Sequence, residues 1–172
     1  MRYFFTIIFV GLVIQSFTQV ERDTGYIVKI GDKAPNLKLK LTTGETLHTK
    51  DLRGKVVVLQ FTASWCSVCR KEMPHLENEI WVPNKDKDFL LIGVDYDEPL
   101  EKVIAFKEKM QITYPMALDP GAEIFAQFAR KRSGVTRNVV IDKNGNIVFL
   151  TRLFDTNEFN SMKEKINLLL KE

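Results

Sequence analysis

The order of elements along the chain predicts an α/β three-layer sandwich, a central mixed β-sheet flanked by helices, with an N-terminal β-hairpin extension. Three observations carry this. The apolar run Val56 to Phe61 passes directly into a helical pattern, a second run from Phe89 to Val94 passes into another, and two late apolar runs are joined by Asn144-Gly145. Strand–helix–strand units require crossover helices and parallel neighbours, and a closing hairpin adds antiparallel ones. At 172 residues, with 45% hydrophobic and 27% charged side chains, the chain suits one domain, placed over residues 31–172.

In chain order, Leu37, Leu39 and Leu41 alternate with Lys38 and Lys40, the pattern of a half-buried strand, and Thr42 to Glu45 turns it back into Thr46-Leu47-His48. Lys55 to Phe61 is β-branched and nearly all apolar, which suits an interior strand covered on both faces. From Cys66 the spacing of Cys69, Met73, Leu76 and Ile80 is helical, with a kink expected at Pro74. Phe89 to Val94 is the next buried strand, and Pro99 is expected as the first residue of a helix reaching Met110, with Val103, Phe106 and Met110 inward. Asp119-Pro120 predicts a further helix with Ile124, Phe125 and Phe128 inside and Gly134 as its stop; Arg130-Lys131-Arg132 would be its solvated end. Val139 to Ile141 and Ile147 to Leu150 form the hairpin, and a last helix from Asp155 or Thr156 buries Phe159, Met162, Ile166 and Leu169.

Residues 1–19 differ in composition from the rest: Arg2 gives a positive start, Phe4 to Ile14 an apolar stretch, and Ser16-Phe17-Thr18 a small-x-small cleavage pattern. They predict a signal peptide, or an N-terminal membrane anchor if uncleaved, then a short segment over 20–30. The expected location is therefore the periplasm, with the protein exported and soluble or tethered. A formal charge of +3 is too balanced to argue for nucleic acid.

The only two cysteines stand three apart in Trp65-Cys66-Ser67-Val68-Cys69, at a strand-to-helix junction. A disulfide closing so short a loop stabilises a fold little, so the pair suits reversible redox chemistry better than stapling. A cysteine at a helix start meets unpaired N–H groups and the positive end of the dipole, which stabilise a thiolate. Cys66 is thus the expected nucleophile, open to solvent. Cys69, one turn on, lies on the same face within disulfide reach and would resolve the mixed disulfide. Trp65 is either an apolar shoulder for a docking partner or a core aromatic.

Phe61-Thr-Ala-Ser-Trp65-Cys66-Ser-Val-Cys69-Arg-Lys-Glu72-Met-Pro74 and Val139-Val-Ile-Asp142-Lys-Asn-Gly145 resemble the TlpA/ResA-like branch of the thioredoxin superfamily, exported thiol–disulfide oxidoreductases. The match runs from about Gly31 to the last helix. The resemblance implies a thioredoxin-like fold, protein thiol and disulfide substrates, reduction of protein disulfides, an inner-membrane electron donor and no cofactor. It also implies that Glu72 lies beneath the site and handles protons; the alternative is an exposed glutamate of the first helical turn. Members carry a cis-proline opposite the cysteines, at the position held here by Thr136. Without proline a trans peptide is expected, since a cis bond would cost about 2.5–4 kcal/mol. Thr136 could then hydrogen-bond a cysteine sulfur, the Val135 backbone could pair with a substrate strand, and Arg137 would either face a thiolate or lie at the surface.

Two other readings remain open at this point. A peroxiredoxin-like thiol peroxidase would need PxxxTxxC, but Leu59 and Ala63 occupy those positions before Cys66. A copper or zinc module would need His75 or His48 beside the two sulfurs, which alone leave a tetrahedral site incomplete; no stable metal is expected. Arg70 excludes a CxxCH haem attachment.

Overall fold

The structure, a computed structural model, describes residues 23–172; the signal-like segment 1–19 lies outside the described residues. Strands β1 (Lys38–Leu41), β2 (Thr46–His48), β3 (Val56–Thr62), β4 (Phe89–Tyr96), β5 (Met116–Asp119), β6 (Arg137–Ile141) and β7 (Ile147–Arg152) form one sheet in the order β2-β1-β5-β4-β3-β6-β7. β3, β4 and β5 run parallel, and β6 and β7 add an antiparallel hairpin on the β3 side. The β1–β2 hairpin joins through an antiparallel pairing of β1 with β5. It is a true extension of the central sheet.

The helices are α1 (Ser67–His75), α2 (Val82–Asn84), α3 (Leu100–Met110) and α4 (Thr156–Leu169), with a π-helical stretch over Leu76–Trp81 between the first two. The kink expected at Pro74 takes this form. Pro74 has no N–H to donate and its ring crowds the preceding turn, and beyond it the ladder widens instead of breaking. Pro99 caps α3 from outside and is not its first residue. Asp155 caps α4 by accepting from the amides of Asn157 and Glu158 at 3.0 Å each.

Two expectations fail between Met110 and Gly134. β5 is a strand of four residues that the alternation did not reveal. The helix expected after Asp119-Pro120 is instead two 3₁₀ turns, Pro120–Ala122 and Phe125–Gln127. Gly121 has φ +69°, which interrupts a right-handed helix, and the Asp119 carboxylate takes the Ile124 and Phe125 amides at 2.7 and 2.8 Å. The apolar positions were nonetheless right, since Phe125 and Phe128 are fully buried. Arg130, Lys131 and Arg132 are exposed, but on a loop.

Strand alternation separates two cores. Val56 and Val58 of β3 and Val140 of β6 pack with Met73, Val103, Phe106, Phe159, Met162 and Ile166 from α1, α3 and α4. Val57, Leu59, Phe61, Val139 and Ile141 point to the other face, against Leu39, Phe125 and Phe128. Among the described residues, then, the longer helices share one face, while 3₁₀ turns and the segment around Tyr26 cover the other.

Candidate active site

The site forms where β3 ends and α1 begins. Cys66 has extended backbone angles (φ −81°, ψ 110°) and acts as the N-cap of α1, its Sγ accepting the Cys69 N–H at 3.2 Å. A sulfur in this role faces the unpaired amides of the first turn, a setting that rewards negative charge. The hydrogen bond from Cys69 pulls the Cys66 thiol down most; burial opposes it, and Thr136 and the Cys69 and Val68 amides add to the lowering, leaving a pKa of about 5. Cys69 is pushed far the other way, first by its bond to Cys66 and then by burial. One thiol is poised as an anion and the other as its proton-bearing partner. Cys66 is only 9% exposed, so the open sulfur expected from the sequence is corrected to one largely covered by its neighbours.

Thr136 fills the place of the proline. All peptide bonds among the described residues are trans, and the Thr136 hydroxyl lies 3.1 Å from Cys66 Sγ and 3.2 Å from Cys69 Sγ. One rotatable proton can therefore serve whichever sulfur is anionic. Val135 is buried against Ala63, Cys66 and Cys69, and its backbone amide and carbonyl have no partner among the described residues.

The next two residues turn to opposite sides because β6 alternates. Asn138 shares the α1 side with Val140, and its amide donates to Glu72 Oε1 at 2.7 Å. Arg137 points to the other face, fully buried, with its guanidinium 4.5 Å from the Tyr26 ring centre. It donates to the carbonyls of Gly134 (3.0 Å), Thr24 (2.7 Å) and Ser133 (2.9 Å). Arg137 is therefore neither beside a thiolate nor at the surface. Both readings of it are corrected, and the reason is the two-residue period of the strand.

Glu72, on α1, is buried, which removes the reading of it as an exposed first-turn residue. Gln60 Nε2 approaches its Oε2 at 3.4 Å, and Tyr114 in turn donates to Gln60 Oε1 at 2.8 Å. Burial lifts the Glu72 carboxyl to about 7, against the lowering by its Asn138 and Gln60 partners. Gln60, Asn138, Tyr114 and Tyr26 were not singled out from sequence. The available signal was a polar residue inside an apolar strand, as with Gln60 and Asn138.

Trp65 is 58% exposed and meets Tyr96 edge-on at 6.5 Å, so it is not a core aromatic. Ser64 is held from below by Glu98, to which it gives its amide (2.6 Å) and hydroxyl (2.7 Å), while Arg70 donates to the Ser64 carbonyl at 2.6 Å. The histidines do not join the sulfurs: His75 is exposed and pairs with Glu79 at 2.8 Å, and His48 sits opposite Lys38 on the β2 edge. Among the described residues no group of three metal-ligating side chains forms. Leu59 and Ala63, where a peroxidase pattern wants proline and threonine, are buried and apolar and offer the thiol no hydrogen bond.

Comparison with known proteins agrees with this chemistry. Residues 30–150 match the family model described as the AhpC/TSA family. The thiol-disulfide oxidoreductase ResA of Bacillus cereus is 34% identical over 121 residues, covering 70% of this chain and 68% of the relative. Among solved structures, a proposed protein disulfide isomerase from Bacteroides thetaiotaomicron superposes with TM-score 0.84 at 58% identity, over 86% of this chain and 94% of that one. A Chlorobium tepidum protein, proposed as the thiol:disulfide interchange protein DsbE, gives TM-score 0.74 at 27% identity, over 83% and 99%.

Proposed function

We propose that this chain, which belongs to the AhpC/TSA family and is a thiol–disulfide oxidoreductase with ResA among its relatives, works as an exported reductant of protein disulfides. The observation that carries the chemistry is the Cys66 sulfur capping α1 beside Cys69 and Thr136. In the forward step the Cys66 thiolate attacks one sulfur of a substrate disulfide. The substrate S–S bond breaks, a mixed disulfide forms, and the released sulfur takes up a proton. Cys69 then gives its proton to Glu72, whose carboxyl near 7 suits that exchange at neutral pH, and attacks Cys66; the bond from Cys66 to the substrate breaks, and the second substrate sulfur leaves as a thiolate that takes up the proton. Two electrons pass to the substrate and Cys66–Cys69 becomes the disulfide.

Trp65 supplies an apolar shoulder for the client, Val135 offers an unpaired backbone edge to it, and Thr136 holds the anionic sulfur at each stage. Arg137 acts only by fixing the fold behind them. The signal-like residues 1–19 support export to the periplasm, and residues 31–172 are the catalytic domain. Repeated turnover there requires an electron donor at the inner membrane to reduce the pair again.

The test is disulfide reduction with an insulin-type substrate, together with trapping in cells. The Cys69→Ser protein accumulates mixed disulfides through Cys66, and Cys66→Ser does not. Trapping by the second variant alone reverses the roles, and recovery of the protein with residues 1–19 attached in the cytoplasm removes the export reading.

A further inference from the structure

Asp95, next to last in β4 and opposite Thr62 of β3, is fully buried, and neither carboxylate oxygen has a well-formed hydrogen bond from a donor among the described residues. A bare buried carboxylate is strongly disfavoured. Its side-chain partner is a second carboxylate, Glu98, and two acceptors can bond only when one carries a proton. Glu98 is suited to be the anion. Although burial works against its charge, Lys102 and the amide and hydroxyl of Ser64 outweigh that and hold it below the usual carboxylate range. The proton then belongs to Asp95.

We propose that Asp95 is a protonated positioning residue whose O–H donates to Glu98 and thereby sets the Ser64-Trp65 segment beside Cys66. The inference rests on Cys66 being the attacking thiol. Ser64 hangs on Glu98 by two bonds and on Arg70 by a third, so the carboxylate pair and the guanidinium fix the strand-to-helix junction from two sides. Loss of the Asp95 proton sets two anions against each other, and the two Ser64 bonds are the ones that give way. Burial first, then the Glu98 charge, put that loss at about 8. Two groups favour the Asp95 anion, the Lys102 charge and the Glu98 amide, but the first is paired with Glu98, the second forms no full hydrogen bond, and together they are outweighed by burial and the Glu98 carboxylate; Thr62 is neutral, and Asp119 of β5 is engaged with two amides.

The test follows the first step alone, the reaction of the reduced full chain with a dithiobis(nitrobenzoate) probe between pH 6 and 10, in a Glu72→Gln background that removes the other buried acid. The expected rate reaches a plateau and then falls about tenfold with a midpoint near 8. Asp95→Asn, whose amide can still donate to Glu98, keeps the plateau to high pH, and Asp95→Ala is slow throughout. The infrared carbonyl band of a protonated carboxyl, present at pH 7, disappears in Asp95→Asn. A band that survives Asp95→Asn, or a fall in Asp95→Asn matching the parent, overturns the proposal even if Asp95→Ala does not fold. Loss of all probe reaction in Cys66→Ser, with no change in the Asp95 variants, defeats this inference while leaving the nucleophile intact.

Discussion

Thr136 stands between two buried polar clusters that differ in one respect, whether their protons can move. On the α1 side, Glu72 accepts from Asn138 and Gln60 and carries a carboxyl near 7, next to two thiols whose affinities for a proton have been driven apart. On the other side, Arg137 is stacked on Tyr26 and bonded to three backbone carbonyls, a set with no group that changes charge near neutrality. The two charged side chains at their centres, Glu72 and Arg137, are equally buried. What distinguishes a site from a scaffold here is a titratable group whose environment leaves it half-committed.

The largest test of that contrast is Cys66→Ser, which is expected to reduce disulfide turnover to the uncatalysed background while leaving the chain folded, since a serine oxygen can also cap α1. Next is Arg137→Met. Removing the guanidinium deprives the part-buried carbonyls at Gly134, Thr24 and Ser133 of their donor and breaks the bonds that tie these three segments together, at a cost of about 3 kcal/mol in denaturant unfolding. The pH at which Cys66 becomes reactive should not move; if it does, the two clusters are not independent.

Glu72→Gln probes the movable proton through stability. The folded Glu72 pKa is raised from 4.5 to about 7, so the folded state holds a proton that the unfolded chain has released over that interval. Its stabilising contribution is full below about 4.5 and is lost as pH rises through about 7. Cys66, with its lowered pKa, contributes in the opposite sense between about 5 and 9, so the measurement is the difference between variant and parent. Chemical denaturation from pH 4 to 8 should show the parent losing stability relative to Glu72→Gln, and a flat difference would place Glu72 among the fixed charges. The smallest effect is Thr136→Val, nearly isosteric: loss of one hydroxyl raises the Cys66 pKa by about one unit, seen in alkylation rate against pH.

The CxxC helix was legible in sequence because local forces fix it: the end of an apolar strand, a sulfur able to cap, and apolar residues at helical spacing. The closing hairpin was legible for the same reason, with Asp142 taking the Asn144 and Asn146 amides at 2.9 and 2.7 Å and Gly145 at φ +79°. The segment after Asp119 was not, because its apolar spacing fits both an α-helix and 3₁₀ turns, and the Asp119 side chain decided between them by taking the Ile124 and Phe125 amides that a helix starting at Pro120 would have given to the carbonyls four residues back.

By itself, then, the sequence determined the redox pair and the order of the main elements; that the strand already begins at Arg137, so that Asn138 and Arg137 face opposite sides, emerged with the fold. Only the tertiary structure decided which side lies under α1, and so which neighbour meets the thiols and which becomes a strut. It also brought Asp95 of β4 and Glu98 beneath Ser64. The physical reason is that alternation along a strand is set by the backbone, whereas the assignment of its two faces is set by where the crossover helix packs, a contact between residues more than sixty positions apart.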